Sequence, residues 1–139
     1  VITSALLLQY DCGSQYFIRV NHMYIGAVSK RTGLSVKAIR LYEDMGLIRV
    51  PLRQGNYRVY TETDVEVLQL IKEAKQLGVT LNRLKGVIRY RDGDVDWDRI
   101  HCFLLDVRQQ LMAEHALLEQ KIKRVELCLR SMDSCPQTA

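Results

Sequence analysis

Apolar residues recur at helical spacing through most of the chain, broken by one short stretch with the residue types of a β-hairpin. Ile25, Val28 and Ser29 share one side of a first segment that Gly33 closes. Ser35 follows as an N-cap, its hydroxyl able to satisfy a free N–H of the next turn. The helix it opens carries Val36, Ile39 and Leu41 as core-facing candidates, leaves Lys37 and Arg40 outside, and ends at Gly46. Two short helices with a glycine-containing turn between them describe a helix-turn-helix. Next, Ile48 to Leu52 and Tyr57 to Tyr60 flank Gln54-Gly55-Asn56 as a small hairpin, or wing, in which Pro51 suits an edge strand. Thr61 or Thr63 caps a helix beginning near Glu62, with Val65, Leu68, Ile71 and Leu77 in register and Gly78 at its end. Thr80 starts another through Leu81, Leu84, Val87 and Ile88, which runs out at Asp92-Gly93.

The back third reads as one helix from Asp96 to Met132. Alternating steps of four and three give Leu104, Arg108, Leu111, His115, Leu118, Ile122, Val125, Leu129 and Met132. Seven of these nine are apolar, which is the seam of a coiled coil, with His115 as a polar register-setter. At 1.5 Å per residue the helix is on the order of 50 Å long. A domain this small cannot bury such a stripe, so a second chain is expected against it. The fold class is thus mainly α: a winged helix-turn-helix over residues 23–92, a long C-terminal dimerisation helix over 93–132 forming an antiparallel coiled coil, and a short tail over 133–139.

Residues 1–22 stand apart. Val1 to Leu8 is apolar, but no basic stretch precedes it and it is too short to span a bilayer. Met23 sits where the recognisable domain begins, so residues 1–22 are expected to be a poorly ordered upstream extension; an N-terminal strand or partner-binding arm is the alternative. No segment reads as a membrane span.

At 139 residues, 47% hydrophobic and 26% charged, the chain has the composition of one folded domain plus an extended element. The net charge of +4 is unevenly spread. Residues 23–91 carry 13 Lys and Arg against 6 Asp and Glu, whereas 92–139 carry 6 against 9. A basic front suits a polyanion-binding module. Cys12, Cys102, Cys128 and Cys135 show no CxxC spacing, which favours a cytoplasmic protein with free or metal-bound thiols. An enzyme is disfavoured: no Ser/His/Asp set, phosphate loop or acid pair appears, and the histidines are His22, His101 and His115.

The front has the chemistry to grip double-stranded DNA. Lys37 and Arg40 project from the second helix at i and i+3, beside the cap Ser35. Arg53 and Arg58 bracket the wing turn with Asn56, and Tyr42, Tyr57 and Tyr60 can combine packing with a hydroxyl directed at phosphate. Arginine serves phosphate or guanine equally well, and the sequence does not choose between them. The run Ile39-Arg40-x-Tyr42-Glu43, then Gly46-Leu47, then Arg53-x-x-x-Tyr57-Arg58-x-Tyr60 resembles the signature of the MerR family of bacterial transcription regulators. The resemblance runs from Met23 to about residue 91, and the helix after it is similar to the family's antiparallel dimerisation helix. It implies a homodimer on a pseudo-palindromic promoter, bent and untwisted so that RNA polymerase can engage both promoter elements. The wing turn is about one residue shorter than in metal-sensing members.

In those members, thiolates at the end of the long helix, in the loop after it, and near the start of the partner's helix bind metal. The resemblance places Cys135-Pro136 at the first loop cysteine, and Cys102, with His101 before it, towards Cys135 of the other subunit. Such donors favour Zn(II), Cd(II), Hg(II) or Cu(I). Two features depart from the pattern. The sequence stops at Ala139, before a second loop cysteine, and Cys102 is about two residues off register. Cys128, beside the seam, reads as a small buried hydrophobe. The alternating Asp92, Asp94, Asp96 and Asp98 misplace the glycine and glutamate of a calcium loop and read as an acidic loop with a helix N-cap. A soft-metal-responsive DNA-binding regulator is therefore expected. The alternatives are a thiol- or redox-responsive one and an effector-free architectural or excisionase-like DNA binder.

Overall fold

The computed structural model describes residues 22–134, so the expectations for residues 1–21 and for Cys135 lie outside the described residues. Strand β1 (Met23–Tyr24) leads into α1 (Ile25–Thr32) and α2 (Val36–Asp44). Strands β2 (Leu52–Gln54) and β3 (Tyr57–Tyr60) follow, then α3 (Glu62–Gln76) and α4 (Leu81–Val87). A second hairpin, β4 (Tyr90–Arg91) and β5 (Asp94–Val95), precedes α5 (Trp97–Asp133).

The turn signals act largely where the sequence puts them. Gly33 takes φ 72 and sends its N–H back to Ser29, ending α1. The Ser35 hydroxyl accepts from Ala38 N at 3.1 Å, a cap worth about 1 kcal/mol. After α2 the cap is Met45; Gly46, at φ 74, lets its own N–H reach Glu43 O and that of Leu47 reach Tyr42 O. Thr61 and Asp64 form a reciprocal capping box at the head of α3.

Around β3 the structure corrects the sequence reading. The first wing strand is Leu52–Gln54, not Ile48–Leu52, and Ile48 is a core residue. Gln54 belongs to the strand, leaving a two-residue Gly55-Asn56 turn with Gly55 at φ 63. β1 pairs with β3 on the other side, giving an antiparallel sheet of order β1-β3-β2 with β2 at an edge. In the acidic loop, Asp92 (φ 52) and Gly93 (φ 84) both adopt the left-handed region and close the β4–β5 hairpin. Asp96 caps α5 by accepting from Arg99 N.

One core joins all of this. Val28, Ile39, Leu47, Tyr60, Leu68 and Leu84 are buried within it, and Ile100, Phe103 and Val107 of α5 complete it from a single helix face. Arg83 lies 5.1 Å over the Phe103 ring, and Arg99 donates to Gly86 O at 3.1 Å, fastening α4 to α5. The boundary expected at residues 92/93 therefore falls inside a hairpin, and the first three turns of α5 belong to the front unit. Every residue from Arg108 to Ser134 is exposed, the seam included. Cys128 is likewise an exposed free thiol in the protomer rather than a buried hydrophobe. No helix among the described residues is long and apolar enough to cross a membrane.

Candidate nucleic-acid interface

The turn between α1 and α2 is locked before any ligand arrives. Ser29 Oγ donates to Leu34 O at 2.6 Å and Thr32 Oγ1 to Val28 O at 2.8 Å. Lys72 reaches across from α3 to Thr32 O at 3.0 Å, satisfying a carbonyl at the end of α1. Arg31 pairs with Glu62 through both terminal guanidinium nitrogens, Nη1 and Nη2, and that pairing raises the arginine's pKa. These bonds fix α1 and the turn leading into α2 against α3, and the burial of Ile39 and Tyr42 seats α2 itself, so its outer face is presented as a rigid surface.

That face is not quite the one the sequence suggested. Ile39 and Tyr42 point inward, three residues apart, and both are buried. Leu41, expected in the core, is 48% exposed and shares the outer face with Lys37 and Arg40. Its place there follows from the helix phase set by Ile39 and Tyr42, which the sequence reading assigned differently. An apolar side chain among cations on a major-groove helix can meet a thymine methyl.

In the wing, Arg53 and Arg58 face each other across β2 and β3, an arrangement that like charges disfavour. Glu43, near the end of α2, relieves it. Its carboxylate accepts from Arg58 Nε at 3.1 Å and from the Tyr60 hydroxyl at 3.5 Å. Arg58 is thus tied within the chain, leaving Arg53 as the exposed wing arginine beside exposed Asn56. Burial, then the nearby Glu43 carboxylate, pushes the Tyr60 phenol up to about 12.

The three tyrosines separate. Tyr42 and Tyr60 are in the core, at 2% and 0% exposure, which corrects the expectation that their hydroxyls reach phosphate. Tyr57 stands 69% exposed on the wing, propped edge-on against Tyr24 of β1 with ring centroids 5.8 Å apart. Ser35, Lys37, Arg40, Arg53, Asn56 and Tyr57 are therefore the sequence-selected residues that lie at the surface. The helix expected to run out at Asp92-Gly93 ends instead at Val87, and the β4–β5 hairpin that follows adds the exposed arginines Arg89 and Arg91.

The thiol site is less complete. His101 and Cys102 are exposed neighbours on α5, but no group of three or more His, Cys, Asp or Glu gathers among the described residues. A soft-metal site of three donors is not formed within the described part of one protomer.

Comparison with known proteins converges on one family. The family model described as "MerR HTH family regulatory protein" matches residues 23–91. The chain is 34% identical over 119 residues to the HTH-type transcriptional regulator CueR of Salmonella typhi, covering 82% of each. It is 32% identical over 111 residues to the heavy metal-dependent transcription regulator 2 of Rhizobium meliloti, covering 79% of this chain and 71% of that one. Among solved structures, the N-terminal part of MtaN, the Bacillus subtilis multidrug transporter activator, superposes with a TM-score of 0.57 at 22% identity. That match covers 77% of this chain and 97% of the other, and it speaks to the fold. The two sequence relatives are regulators of transcription, not enzymes.

Proposed function

Since the chain belongs to the MerR family of helix-turn-helix regulatory proteins, we propose that it works as a homodimer that binds and distorts promoter DNA when an effector arrives. The observation that carries this reading is the outer face of α2. Lys37, Arg40 and Leu41 stand together on a helix clamped from behind, with Arg53 and Tyr57 beyond it on the wing. Cations that neutralise phosphates supply affinity, and a slim helix reads base edges in the major groove. The free N–H groups of the first turn of α2, next to the Ser35 cap, suit a phosphate as well.

The exposed seam of α5 supplies the second half. Leu104, Leu111, Leu118, Ile122, Val125, Leu129 and Met132 pair with a second copy. Antiparallel pairing sets each Arg108 and His115 against an apolar partner layer, whereas parallel pairing in register would stack like on like. Two front units held apart by such helices read two half-sites, and bending the duplex brings both into reach. RNA polymerase is the partner that gains from the altered spacing.

The effector is proposed to be a soft metal ion: Cu(I), Zn(II), Cd(II) or Hg(II). The relative named heavy metal-dependent supports this, and so do the exposed Cys102 and His101. Cys102 and Cys135, from different subunits, would hold the metal with His101 as a further donor; thiolates bind such an ion by charge neutralisation and covalency. Anaerobic titration of the reduced dimer with each ion, read by thiolate charge-transfer absorbance, tests this. Tight binding lost in Cys102→Ser supports it. Binding no tighter than to a free thiol removes it, and altered DNA binding upon oxidation would transfer the role to the exposed thiols Cys102 and Cys128.

A further inference from the structure

Arg49, in the segment between α2 and β2, is held on three sides. Its Nη1 donates to the carbonyl of Gly93, at the tip of the β4–β5 hairpin. Its Nε lies 3.9 Å from Asp64 Oδ1 in the first turn of α3, and its guanidinium sits 5.4 Å over the Tyr90 ring. Asp64 is buried, and the Thr61 cap occupies only its Oδ2. Oδ1 has no hydrogen-bond partner among the described residues, so the Arg49 charge is what compensates it. Tyr90 adds a second tether in the same direction, its hydroxyl donating to Leu47 O at 3.4 Å. Burial, with Asp64 beside it, pushes that phenol up to about 12, so it remains a donor at neutral pH.

The hairpin needs such a hold. Its strands are two residues each, too short to fix their own position by ladder bonds. It also leads straight into the long helix: Asp96 N donates to Arg89 O at 2.8 Å, and Arg91 lies 3.5 Å from the Asp96 carboxylate. Whatever fixes the hairpin against the α2–β2 segment therefore anchors the start of α5, whose first turns the core and the Arg83 and Arg99 contacts hold from the other side. It also sets where Arg89 and Arg91 stand relative to Lys37, Arg40 and Arg53.

We propose that Arg49 is the positioning residue that locks the β4–β5 hairpin to the helix-turn-helix, so that Arg89 and Arg91 meet the DNA backbone as part of one rigid surface. The inference rests on the DNA-binding reading above. Arg49 acts through the hairpin rather than by touching DNA, and this separates it from a simple cation. A lysine keeps the charge but lacks the planar fork that reaches Gly93 and Asp64 together over an aromatic ring.

The test uses the full-length dimer and a labelled duplex of roughly 30 base pairs selected on the wild-type protein, titrated across salt concentrations. If each hairpin holds one phosphate, Arg49→Met lowers the salt slope by about 1.8 per dimer and weakens binding on the order of tenfold at moderate salt. Arg49→Lys does not restore either. Arg89→Gln/Arg91→Gln lowers the slope by at least as much, and adding Arg49→Met to it changes little further. Amide exchange in residues 90–95 accelerates in Arg49→Met without DNA present. Tyr90→Phe, which removes one tether and keeps the ring, shifts exchange in the same direction and serves if Arg49→Met fails to fold. An unchanged salt slope with only a lowered melting midpoint, full rescue by lysine, or unchanged hairpin exchange overturns the proposal. A wild-type dimer that binds no duplex while hairpin exchange still responds would overturn the DNA-binding reading and leave Arg49 as a structural latch alone.

Discussion

Leu118 lies at the middle of the α5 seam, with 57% of its surface exposed in the single chain. Fully burying a leucine contributes roughly 1.5–3 kcal/mol, so covering what Leu118 leaves open is worth about 1–1.5 kcal/mol. A twofold dimer contains the residue twice, which makes roughly 2–3 kcal/mol of the association energy. Leu118→Glu forfeits that and sets two carboxylates in an apolar seam without partners. The further cost brings the total to about 4 kcal/mol, or on the order of a thousandfold in the dimer dissociation constant. Leu127 is a matched control: it is 62% exposed, hence just as apolar and open, but lies on the opposite side of α5 from Val125 and Leu129. Sedimentation velocity over a micromolar range should show wild type and Leu127→Glu as dimers and Leu118→Glu as a monomer. A Leu118→Glu protein that sediments as the wild type does, or equal dissociation by both variants, would refute the assignment of this stripe as the dimer seam.

The front unit yields further tests. Glu43→Gln removes the charge that offsets the facing Arg53 and Arg58, with Arg58 part-exposed to solvent. It should cost about 1 kcal/mol in urea denaturation and loosen the wing; an unchanged midpoint would contradict this. Tyr60 and Tyr90 both titrate near 12 in the folded chain, against 10.0 as the ordinary value. The unfolded chain thus loses these protons first, so their contribution to stability is intact below pH 10 and falls as pH rises from 10 towards 12. Thermal midpoints across that range should drop, and less steeply in Tyr90→Phe; a flat profile would contradict the burial of these phenols. Ser35→Ala strands the Ala38 N–H at the head of α2 and should lower stability by about 1 kcal/mol, with a matching loss in DNA affinity. Unaltered stability would mean that water replaces the cap.

Much of this architecture is legible from local chemistry. Ser35, Gly46, Thr61 and Asp96 mark helix ends because caps and left-handed exits depend on a few adjacent residues. The length of α5 is legible because an apolar repeat sustained over nine positions marks one unbroken helix. Leu41 shows where such reading fails. α2 is nine residues long, and placing Leu41 inward needs a phase that the burial of Ile39 and Tyr42 excludes, roughly 200° away from Ile39. The β4–β5 hairpin had a visible Asp-Gly signal, masked by the alternation of aspartates around it. β1 is two residues long and exists because β3 offers an edge. The inward turn of Arg49 and the withdrawal of Arg58 onto Glu43 are tertiary facts; an arginine near a wing looks the same in sequence whether it holds DNA or its own chain.

The central claim is tested most directly by selecting duplexes from a random-sequence pool with the full-length dimer and footprinting the survivors. The expected result is an inverted repeat protected symmetrically at two half-sites, with Arg40→Ala weakening binding and relaxing sequence preference in both. No enrichment over the starting pool, or protection of a single half-site by a monomer, would contradict it.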